Sequence, residues 1–354
     1  MDMTNTLILG GCGIFAFIVA WVLGKWLIPW LHKLKFGQTI LEDGPTWHQK
    51  KQGTPTMGGI LFISAFVLAV VGGVIALHVF KTPLTYSFKA NHLDGVVLPP
   101  LLSTAYEKVR FWGGFGLAIG CGLIGFLDDY IKVVKKRNLG LTATQKIVLQ
   151  LSLSTAYAVL LYLYGGGKFN IPFIDHPVNW GIWYIPFTVF VIVAMTNATN
   201  LTDGVDGLCG STGFVAALSL LLLSGLSGHL SMGIPAVALA GGLAGFLMWN
   251  LHPAKVFMGD TGSLFIGGAI TALAFGMEQP FLLVPIGILY IAENLSVILQ
   301  VSYFKMTHGK RLFKMSPLHH HFEMCGWSEN RIVAVFSFVT LLGCAGAVAL
   351  QWFG

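Results

Sequence analysis

Long apolar stretches separated by shorter polar segments run the whole length of this 354-residue chain. The hydrocarbon core of a bilayer requires about 20 apolar residues per helix, so we expect each stretch to form a membrane-spanning helix. Ten spans are predicted: 5–31, 57–80, 109–127, 146–164, 180–197, 208–228, 233–250, 262–278, 281–303 and 331–353. This pattern predicts an all-α polytopic membrane protein in which residues 1–354 form a single domain without internal repeats.

The composition supports a membrane protein and excludes a soluble one. Hydrophobic residues make up 55% of the chain and charged residues only 10%. A soluble domain normally has about a quarter of its residues charged. The charged residues that remain are therefore informative, both about orientation and about chemistry.

The basic residues predict the orientation. Ten spans place both termini on the same side, and fifteen of the 21 Lys and Arg residues fall in or next to the connections on the other side. They are Lys33, Lys35, Lys50, Lys51, Lys132, Lys135, Lys136, Arg137, Lys146, Lys255, Lys305, Lys310, Arg311, Lys314 and Arg331. Because cytoplasmic loops are rich in Lys and Arg, we expect this face to be cytoplasmic and both termini to be extracytoplasmic. The same distribution argues against a nucleic-acid partner, although the net charge is +6.

The outer connections carry no concentrated chemistry. Gly, Pro and Asn residues between 165 and 180 predict a small hairpin. The connection 81–108 is long for an outer loop.

Five aspartates lie at the ends of apolar stretches, all on the predicted cytoplasmic face. They occur in the segments FLDDY, NATNLTDGVDGL and FMGDTGS. A carboxylate beside lipid is costly unless it is paired, bound to a metal or hydrated, so such residues are functional candidates. Their shared face predicts one site for a metal and a polyanion.

The first segment is Asp128-Asp129-Tyr130-Ile131-Lys132. If the helix continues, one of the two aspartates shares a face with Lys132, as residues three or four apart do. Paired carboxylates could hold Mg²⁺ together with substrate phosphates, or one of them could act as a base. The alternative is a polar helix end that Lys132 neutralises.

The second segment places Asn197, Asn200, Asp203 and Asp206 at three-residue spacing, with Gly204 between them. On one helical or 3₁₀ turn these side chains would form a single polar stripe that suits sugar hydroxyls, a nucleobase edge or hydrated metal. The alternative is an N-cap cluster for the next span, but a cap requires only one such residue.

The third segment places Asp260 at a helix start, where it could be a simple cap or a third metal ligand. An intramembrane aspartyl protease is rejected, because position 257 is Phe rather than Gly and the partner Tyr-Asp motif is missing from the spans. Phe257 could instead stack on a base.

Two further segments carry weaker signals. Lys51 and the glycines of GTPTMGG precede the second span and could receive phosphate, although they do not form a Walker A loop. His319, His320 and His321 lack the partners that a four-ligand zinc site needs, so we expect them to face phosphate or peptide.

Glu293, Asn294 and Gln300 in span nine should face the interior or a wet cleft. The residues alone thus indicate a membrane enzyme with a cytoplasmic, Mg²⁺-assisted site for a phosphate-rich substrate and a lipid.

The motifs DDYIK, NATNLTDGVDGL, FMGDTGS, GTPTMGG and PLHHHFE, in their order along ten spans, closely resemble the phospho-N-acetylmuramoyl-pentapeptide transferase family. That family belongs to the wider polyprenyl-phosphate N-acetylhexosamine-1-phosphate transferase superfamily. The resemblance implies a multi-pass enzyme of the bacterial cytoplasmic membrane that transfers phospho-MurNAc-pentapeptide from its UDP carrier to undecaprenyl phosphate. The products would be lipid I and UMP, in the first membrane step of peptidoglycan synthesis. Membrane lipid is a further implied partner, and a homodimer is compatible with the resemblance.

The resemblance also implies roles for individual residues. Asp260 would bind Mg²⁺ across the diphosphate with Asp128 and Asp129 adjacent, and Asp128 would deprotonate or orient the lipid phosphate. Lys132 and Lys146 would counter the phosphates. Residues on the uridine and ribose side would be Lys51, Thr56, Asn200, Asp203, Gly204, Asp206 and Phe257. The remaining cleft would be lined by Asn197, Asn250, Gln300, His319, His320 and His321, with the histidines nearest the sugar-peptide.

Two rival functions share part of this pattern. A UDP-GlcNAc:polyprenyl-phosphate GlcNAc-1-phosphate transferase has the same Asp-Asp and Asn-Asp motifs, but the HHHFE loop argues against it. An ion-coupled transporter would place binding residues near the bilayer midplane in related repeats, whereas these acids lie at span ends.

Overall fold

The structure, a computed structural model, describes residues 3–33, 51, 53–80, 102, 104–134, 140–174 and 176–353. In these ranges the chain is built almost entirely from helices, which confirms the all-α polytopic architecture. Eight of the described helices are long and apolar enough to cross a membrane, and a bent helix pair brings the number to nine. The count of ten spans and the location of the termini stay predictions.

Within the described ranges, ten helices longer than 15 residues account for the architecture. They are α1 (Met3–Lys33), α2 (Gly59–Val79), α4 (Gly114–Val134), α5 (Ala143–Leu163), α6 (Tyr184–Thr202), α7 (Leu208–Leu226), α8 (Gly233–Asn250), α9 (Gly259–Gly276), α11 (Ile288–Met306) and α13 (Glu329–Phe353). Three short helices are α3 (Ala105–Lys108), α10 (Leu283–Ile286) and α12 (Leu318–Glu323). Each predicted span falls on one of these helices. Span nine is the bent pair α10 and α11, which turns by 77°.

The predicted outer hairpin is present. Strands β1 (Lys168–Phe169) and β2 (Val178–Asn179) pair antiparallel, with Lys168 opposite Asn179. Several other predictions concern residues outside the described ranges, namely the basic residues Lys35, Lys50, Lys135, Lys136 and Arg137 and most of the connection 81–108.

Helix α9 lies at the centre of the bundle. Every residue from Thr261 to Gly276 is buried, and α9 packs most extensively against α4, with further contacts to α6 and α2. It is not among the eight described helices that could cross a membrane individually. Because protein surrounds α9, the polar groups of its first turn can form hydrogen bonds with neighbouring helices and are not exposed to lipid.

The close packing of α4 on α9 depends on a glycine. A side chain at Gly125 would collide with the backbone of Asp260 and Thr261. The absent side chain lets the C-terminal half of α4 approach the first turn of α9. This approach brings the acidic residues of the two helices together.

Helix α4 also continues beyond the predicted end of span three. It runs to Val134 rather than ending at 127, so Asp128 and Asp129 lie within a regular helix. Residues three and four apart share one helix face. Lys132 is therefore directed back toward both aspartates.

Candidate active site

Three carboxylates meet where α4 ends and α9 begins. One carboxylate oxygen from each of Asp128, Asp129 and Asp260 lies within 4.8 Å of the others. Asp128 and Asp129 are only 1% and 2% exposed. Buried like charges at this distance destabilise one another strongly unless cations compensate them.

Two lysines provide that compensation. Lys132 Nζ lies 2.5 Å from Asp128 Oδ2 and 3.2 Å from Asp260 Oδ2. Lys146 Nζ lies 2.6 Å from Asp260 Oδ2 and 3.4 Å from Asp128 Oδ1. The cluster therefore joins three acids to two ammonium groups, and both lysines bridge Asp128 to Asp260.

A capping box places Lys146 at this cluster. The Thr142 side chain accepts a hydrogen bond from Gln145 N at 3.2 Å, and the Gln145 side chain accepts one from Thr142 N at 2.9 Å. This reciprocal pair satisfies free N–H groups and fixes the start of α5. Lys146, the next residue, is thereby held in the first turn of α5.

Asp129 caps the N-terminus of α9. Its Oδ1 accepts a hydrogen bond from Asp260 N at 3.2 Å, and its Oδ2 accepts from Thr261 N at 2.9 Å and Thr261 Oγ1 at 2.7 Å. Helices begin with N–H groups that have no partner within the helix, and the helix dipole favours an anion there. Asp129 therefore fixes the turn that carries Asp260.

The residue that opens α9 must be glycine. Gly259 has a φ of +70°, which side chains rarely adopt. A Cβ atom there would meet Asp129 Oδ2 and Thr56 Oγ1. This position therefore brings the GTPTMGG segment into contact with the carboxylate cluster.

Backbone hydrogen bonds join these two segments. Phe257 N donates to Pro55 O at 2.8 Å, Gly58 N donates to Phe257 O at 2.8 Å, and Gly59 N donates to Met258 O at 3.0 Å. The GTPTMGG segment, a weak signal in the sequence, is thus attached directly to the segment that carries Asp260. Thr56 and Phe257 both adjoin the cluster as a result.

Asp128 has a second anchor that the sequence did not indicate. Leu141 N donates to Asp128 Oδ1 at 2.9 Å from the loop before α5. The other oxygen, Asp128 Oδ2, is buried and faces Lys132 Nζ at 2.5 Å. A buried carboxylate oxygen beside two other carboxylates is suited to a hard cation such as Mg²⁺, which prefers oxygen ligands.

The predicted stripe from Asn197 to Asp206 is divided. Helix α6 ends at Thr202, so the stripe is not continuous and its prediction was wrong beyond that residue. Asn200 Nδ2 donates to Asp260 Oδ1 at 2.9 Å and thus belongs to the carboxylate cluster. Asn197, one turn earlier, donates to Gln150 Oε1 at 2.8 Å.

Asp203 lies just after α6 and is half-buried. Burial, together with the nearby charges of Asp260, Asp129 and Asp206, raises the pKa of the Asp203 carboxyl well above its usual value. Its neutral form can donate a hydrogen bond as well as accept one.

Asp206 belongs to a second polar cluster, which we call the Lys51 junction: Lys51, Asp206, His252 and Glu329. Lys51 Nζ lies 2.7 Å from Asp206 Oδ1 and 2.6 Å from Glu329 Oε2. His252 Nδ1 lies 3.0 Å from Asp206 Oδ2. The two acids and the histidine are close enough to hold a metal ion. Because the Lys51 ammonium already lies between the two carboxylates, we interpret the group as an ion-pair network.

The three histidines lie on α12 and point in different directions. His319 is 1% exposed, and its Nδ1 lies 3.2 Å from Glu293 Oε2. His320 Nδ1 lies 2.6 Å from Glu323 Oε2, and His321 Nδ1 accepts a hydrogen bond from Lys314 N at 3.2 Å. A side chain at Gly204 would collide with the His319 ring, so the histidine helix contacts the loop after α6.

Two regions of the chain that carry these motifs match known protein families. Residues 111–278 match the family model of glycosyl transferase family 4, and residues 51–63 match signature 1 of the phospho-N-acetylmuramoyl-pentapeptide-transferases. A phospho-N-acetylmuramoyl-pentapeptide-transferase of Clostridium perfringens strain 13 is 46% identical over 336 residues, which cover 95% of this chain and 96% of the relative. The chain belongs to the phospho-N-acetylmuramoyl-pentapeptide-transferase family.

Other members of the family are similarly close. The transferase of Clostridium botulinum strain Alaska E43 is 44% identical over 95% of both chains. That of Halalkalibacterium halodurans is 43% identical over 96% of both. The similarity spans almost the entire chain, so it includes the carboxylate cluster, the Lys51 junction and the histidine helix.

Two residues that the family resemblance placed in the cleft have backbone partners in this structure. Asn250 is 2% exposed; its Oδ1 accepts from Gly207 N at 3.1 Å and its Nδ2 donates to Val256 O at 2.9 Å. Gln300 Oε1 accepts from Leu312 N at 3.0 Å and Phe313 N at 2.9 Å. Both side chains thus hold loops that carry other residues of the site. Gln300 is buried, as its position in an apolar span predicted.

Sequence reasoning missed His252 and Glu329 and did not foresee the Glu293–His319 contact. Glu293 was singled out as costly in lipid, and its 0% exposure confirms that it faces the interior. Glu329 was overlooked because an acid in the first turn of a helix is commonplace. The available signal was that Glu329 is one of only 15 acidic residues in the chain.

Proposed function

We infer that the protein transfers phospho-N-acetylmuramoyl-pentapeptide from its UDP carrier to undecaprenyl phosphate, which forms lipid I and releases UMP. The family relationship supports this activity, and the observation in the structure that carries it is the cluster of three carboxylates and two lysines. In the reaction, a phosphate oxygen of the acceptor attacks the sugar-linked phosphorus of the donor. The bond from that phosphorus to the bridging oxygen breaks, and UMP departs with the electron pair.

The carboxylates fit a magnesium ion. Asp260 and Asp128 would hold it, with Asp129 adjacent and already bonded to the start of α9. When bound, Mg²⁺ neutralises charge on the diphosphate and stabilises the leaving UMP. We therefore propose Mg²⁺ as the cofactor.

Both substrates are anionic, and we assign Lys132, Lys146 and Asp128 to reducing the repulsion between them. Lys132 contacts three carboxylates and Lys146 two, and both lysines are partly exposed, so their ammonium groups can shift toward phosphate oxygens. Cations close to the reacting phosphates stabilise charge that develops in the transition state. Asp128, beside both ammonium groups, orients the acceptor phosphate or takes its proton.

The nucleotide end of the donor is assigned to the surface around the Lys51 junction. Thr56 and Phe257 adjoin Asp260 through the paired backbone segments, and we assign the Phe257 ring to stacking on the base. Asn200, Asp203, Gly204 and Asp206 complete this side. The remaining cleft, nearest the sugar-peptide, is assigned to Asn197, Asn250, Gln300, His319, His320 and His321.

An apolar groove suits the polyprenyl chain of the acceptor. The groove runs along α5 and α6, has a volume of about 700 Å³ and includes Leu151, Ile185, Val189, Phe190 and Ala194. Asn197 lines it too. Asn200, one turn further along α6, contacts Asp260, which supports the proposal that this groove directs the acceptor toward the carboxylate cluster.

Filling this groove should weaken acceptor use selectively. We expect Ala194→Leu to raise the KM for undecaprenyl phosphate by about tenfold, the effect of 1.4 kcal/mol, because the added methyl groups occupy the path of the chain. The KM for the UDP donor should stay unchanged. Ala334→Leu, at an exposed position of α13, is the matched control. An equal change in both KM values would show that the groove does not select the acceptor.

The site is assigned to the cytoplasmic face of a bacterial inner membrane, with ten spans and both termini outside. The support is the predicted distribution of fifteen of the 21 basic residues. Lys51, Lys132 and Lys146 belong to that set and lie in the two polar clusters. A homodimer stays a prediction.

Release of UMP by the purified full chain tests the proposed function. With undecaprenyl phosphate and Mg²⁺, we expect UMP from UDP-MurNAc-pentapeptide and almost none from UDP-GlcNAc. Omission of Mg²⁺ should abolish the reaction. Preference for UDP-GlcNAc would support the rival transferase, and nucleotide binding without any UMP release would refute the enzyme assignment.

A further inference from the structure

Glu329 connects three separate parts of the chain. It lies in the first turn of α13, and its Oε2 is 2.6 Å from Lys51 Nζ and accepts a hydrogen bond from Asp206 N at 3.2 Å. Its Oε1 is 3.6 Å from His252 Nδ1. One carboxylate thus contacts the segment before α2, the loop between α6 and α7, and the loop between α8 and α9.

Both carboxylate oxygens of Asp206 have partners in the Lys51 junction or next to it. Asp206 Oδ1 meets Lys51, while its Oδ2 accepts from Ala254 N at 3.0 Å and lies 3.0 Å from His252 Nδ1. Asp206 is 4% exposed, so this network replaces nearly all of its hydration. A buried charge requires such partners in full, and loss of one leaves the others uncompensated.

Helix-dipole stabilisation alone does not account for this arrangement. An acid anywhere in the first turn gains from the dipole and can stay in water. The Glu329 side chain is instead only 12% exposed, and both of its oxygens face the junction. A lysine side chain is flexible, and two carboxylates 2.7 Å and 2.6 Å from the Lys51 Nζ atom restrict its position.

We propose that Glu329 is a positioning residue for the nucleotide end of the UDP donor. It holds Lys51 and the Asp206 loop in the geometry that receives the nucleotide, and it does so without touching the reacting phosphorus. This inference rests on the proposed function, since it assumes that Lys51 and Asp206 contact the donor. Glu329 therefore acts on donor binding and leaves acceptor binding and the chemical step unchanged.

Two variants of the full-length protein separate this role from helix stabilisation. Glu329→Gln keeps the size of the side chain but removes its charge. Glu329→Asp keeps a charge at the start of α13 but shortens the reach to Lys51. We expect both to weaken UDP binding, measured by calorimetry, and to raise the donor KM by about tenfold, since charge-assisted contacts are lost. The KM for undecaprenyl phosphate and kcat should stay close to wild type. Wild-type affinity for UDP in Glu329→Asp would show that only the helix-end charge matters and would overturn the proposal.

A double-mutant cycle shows whether Glu329 acts through Lys51. Lys51→Met alone should weaken UDP binding, and adding Glu329→Gln should then have a much smaller effect than in the wild type, because the contact is already lost. Full additivity would contradict positioning through Lys51. Arg331→Gln is the control on the same turn, where Arg331 stacks on Trp327. Absence of UMP release in the wild type would count against the proposed function, whereas an active wild type with unaffected Glu329 variants would sink this inference alone.

Discussion

Asp260→Asn is expected to lower the rate of UMP release by about a hundred- to a thousandfold, the scale of losing a central electrostatic contact in a transition state. The Asp260 carboxylate lies between Lys132 and Lys146 and next to Asp128. An amide cannot supply the negative charge that a magnesium ion and the two ammonium groups require. The residual activity should also respond less to Mg²⁺ concentration, which a titration of the rate would measure.

The same substitution should leave the protein folded. The amide oxygen of the introduced side chain can still accept the hydrogen bond from Asn200, and Asp128 still pairs with both lysines. We expect the thermal unfolding midpoint in detergent to change by only a few degrees, in line with a stability change of about 1 kcal/mol. Glu107→Gln, in the capping box of α3 away from the cluster, is the control for loss of one acid. Near-normal turnover in Asp260→Asn would refute the assigned role.

The helices could be predicted because their cause is local. A run of about 20 apolar residues suffices to specify a membrane helix, and all ten predicted spans coincide with helices. The sharp bend between α10 and α11 was not foreseen, and neither was the full enclosure of α9. Both depend on which helices become neighbours, and an apolar pattern does not encode that information.

The sequence predicted one site from five aspartates, and the structure brings three of them, Asp128, Asp129 and Asp260, into one cluster. Acidic residues beside apolar stretches are costly, so their shared face indicated a shared site before any contact was known. The spacing also predicted that Asp128 or Asp129 shares a helix face with Lys132, and the structure shows the closer contact at Asp128, 2.5 Å from Lys132 Nζ. The different hydrogen-bond partners of Asp128 and Asp129 could not be predicted, because the bonds of Asp129 to α9 and of Asp128 to Leu141 join residues distant in sequence.

Equal spacing misled the interpretation of the Asn197–Asp206 segment. Three-residue spacing puts side chains on one face only while the helix continues, and α6 ends at Thr202. Asn200 then contacts Asp260, whereas Asp206 contacts Lys51. Because α6 ends within the motif, its residues are divided between the carboxylate cluster and the Lys51 junction.

Asp129→Ala should differ from Asp260→Asn by destabilising the protein as well as inactivating it. The substitution removes the acceptor for Asp260 N, Thr261 N and Thr261 Oγ1, which lie at a buried helix start. Each unsatisfied buried donor costs about 1–3 kcal/mol, and loss of a helix cap typically costs about 1 kcal/mol. With three donors affected, we expect a total loss of at least about 3 kcal/mol and a clear fall in the thermal unfolding midpoint. UMP release should fall too, since Asp260 is no longer held in place.

Asp129→Asn gives the more discriminating result, because it keeps one acceptor oxygen and nearly the same volume. The amide oxygen can still serve Thr261, but the amide nitrogen cannot accept from the other donors of α9. Its unfolding midpoint should therefore lie between those of Asp129→Ala and the wild type, with activity in the same order. If Asp129 were instead mainly a metal ligand, both Asp129 variants would behave like Asp260→Asn and lose turnover while retaining wild-type stability. Unfolding midpoints of the three variants, measured beside their rates, distinguish a residue that positions the proposed metal site from one that would bind the metal.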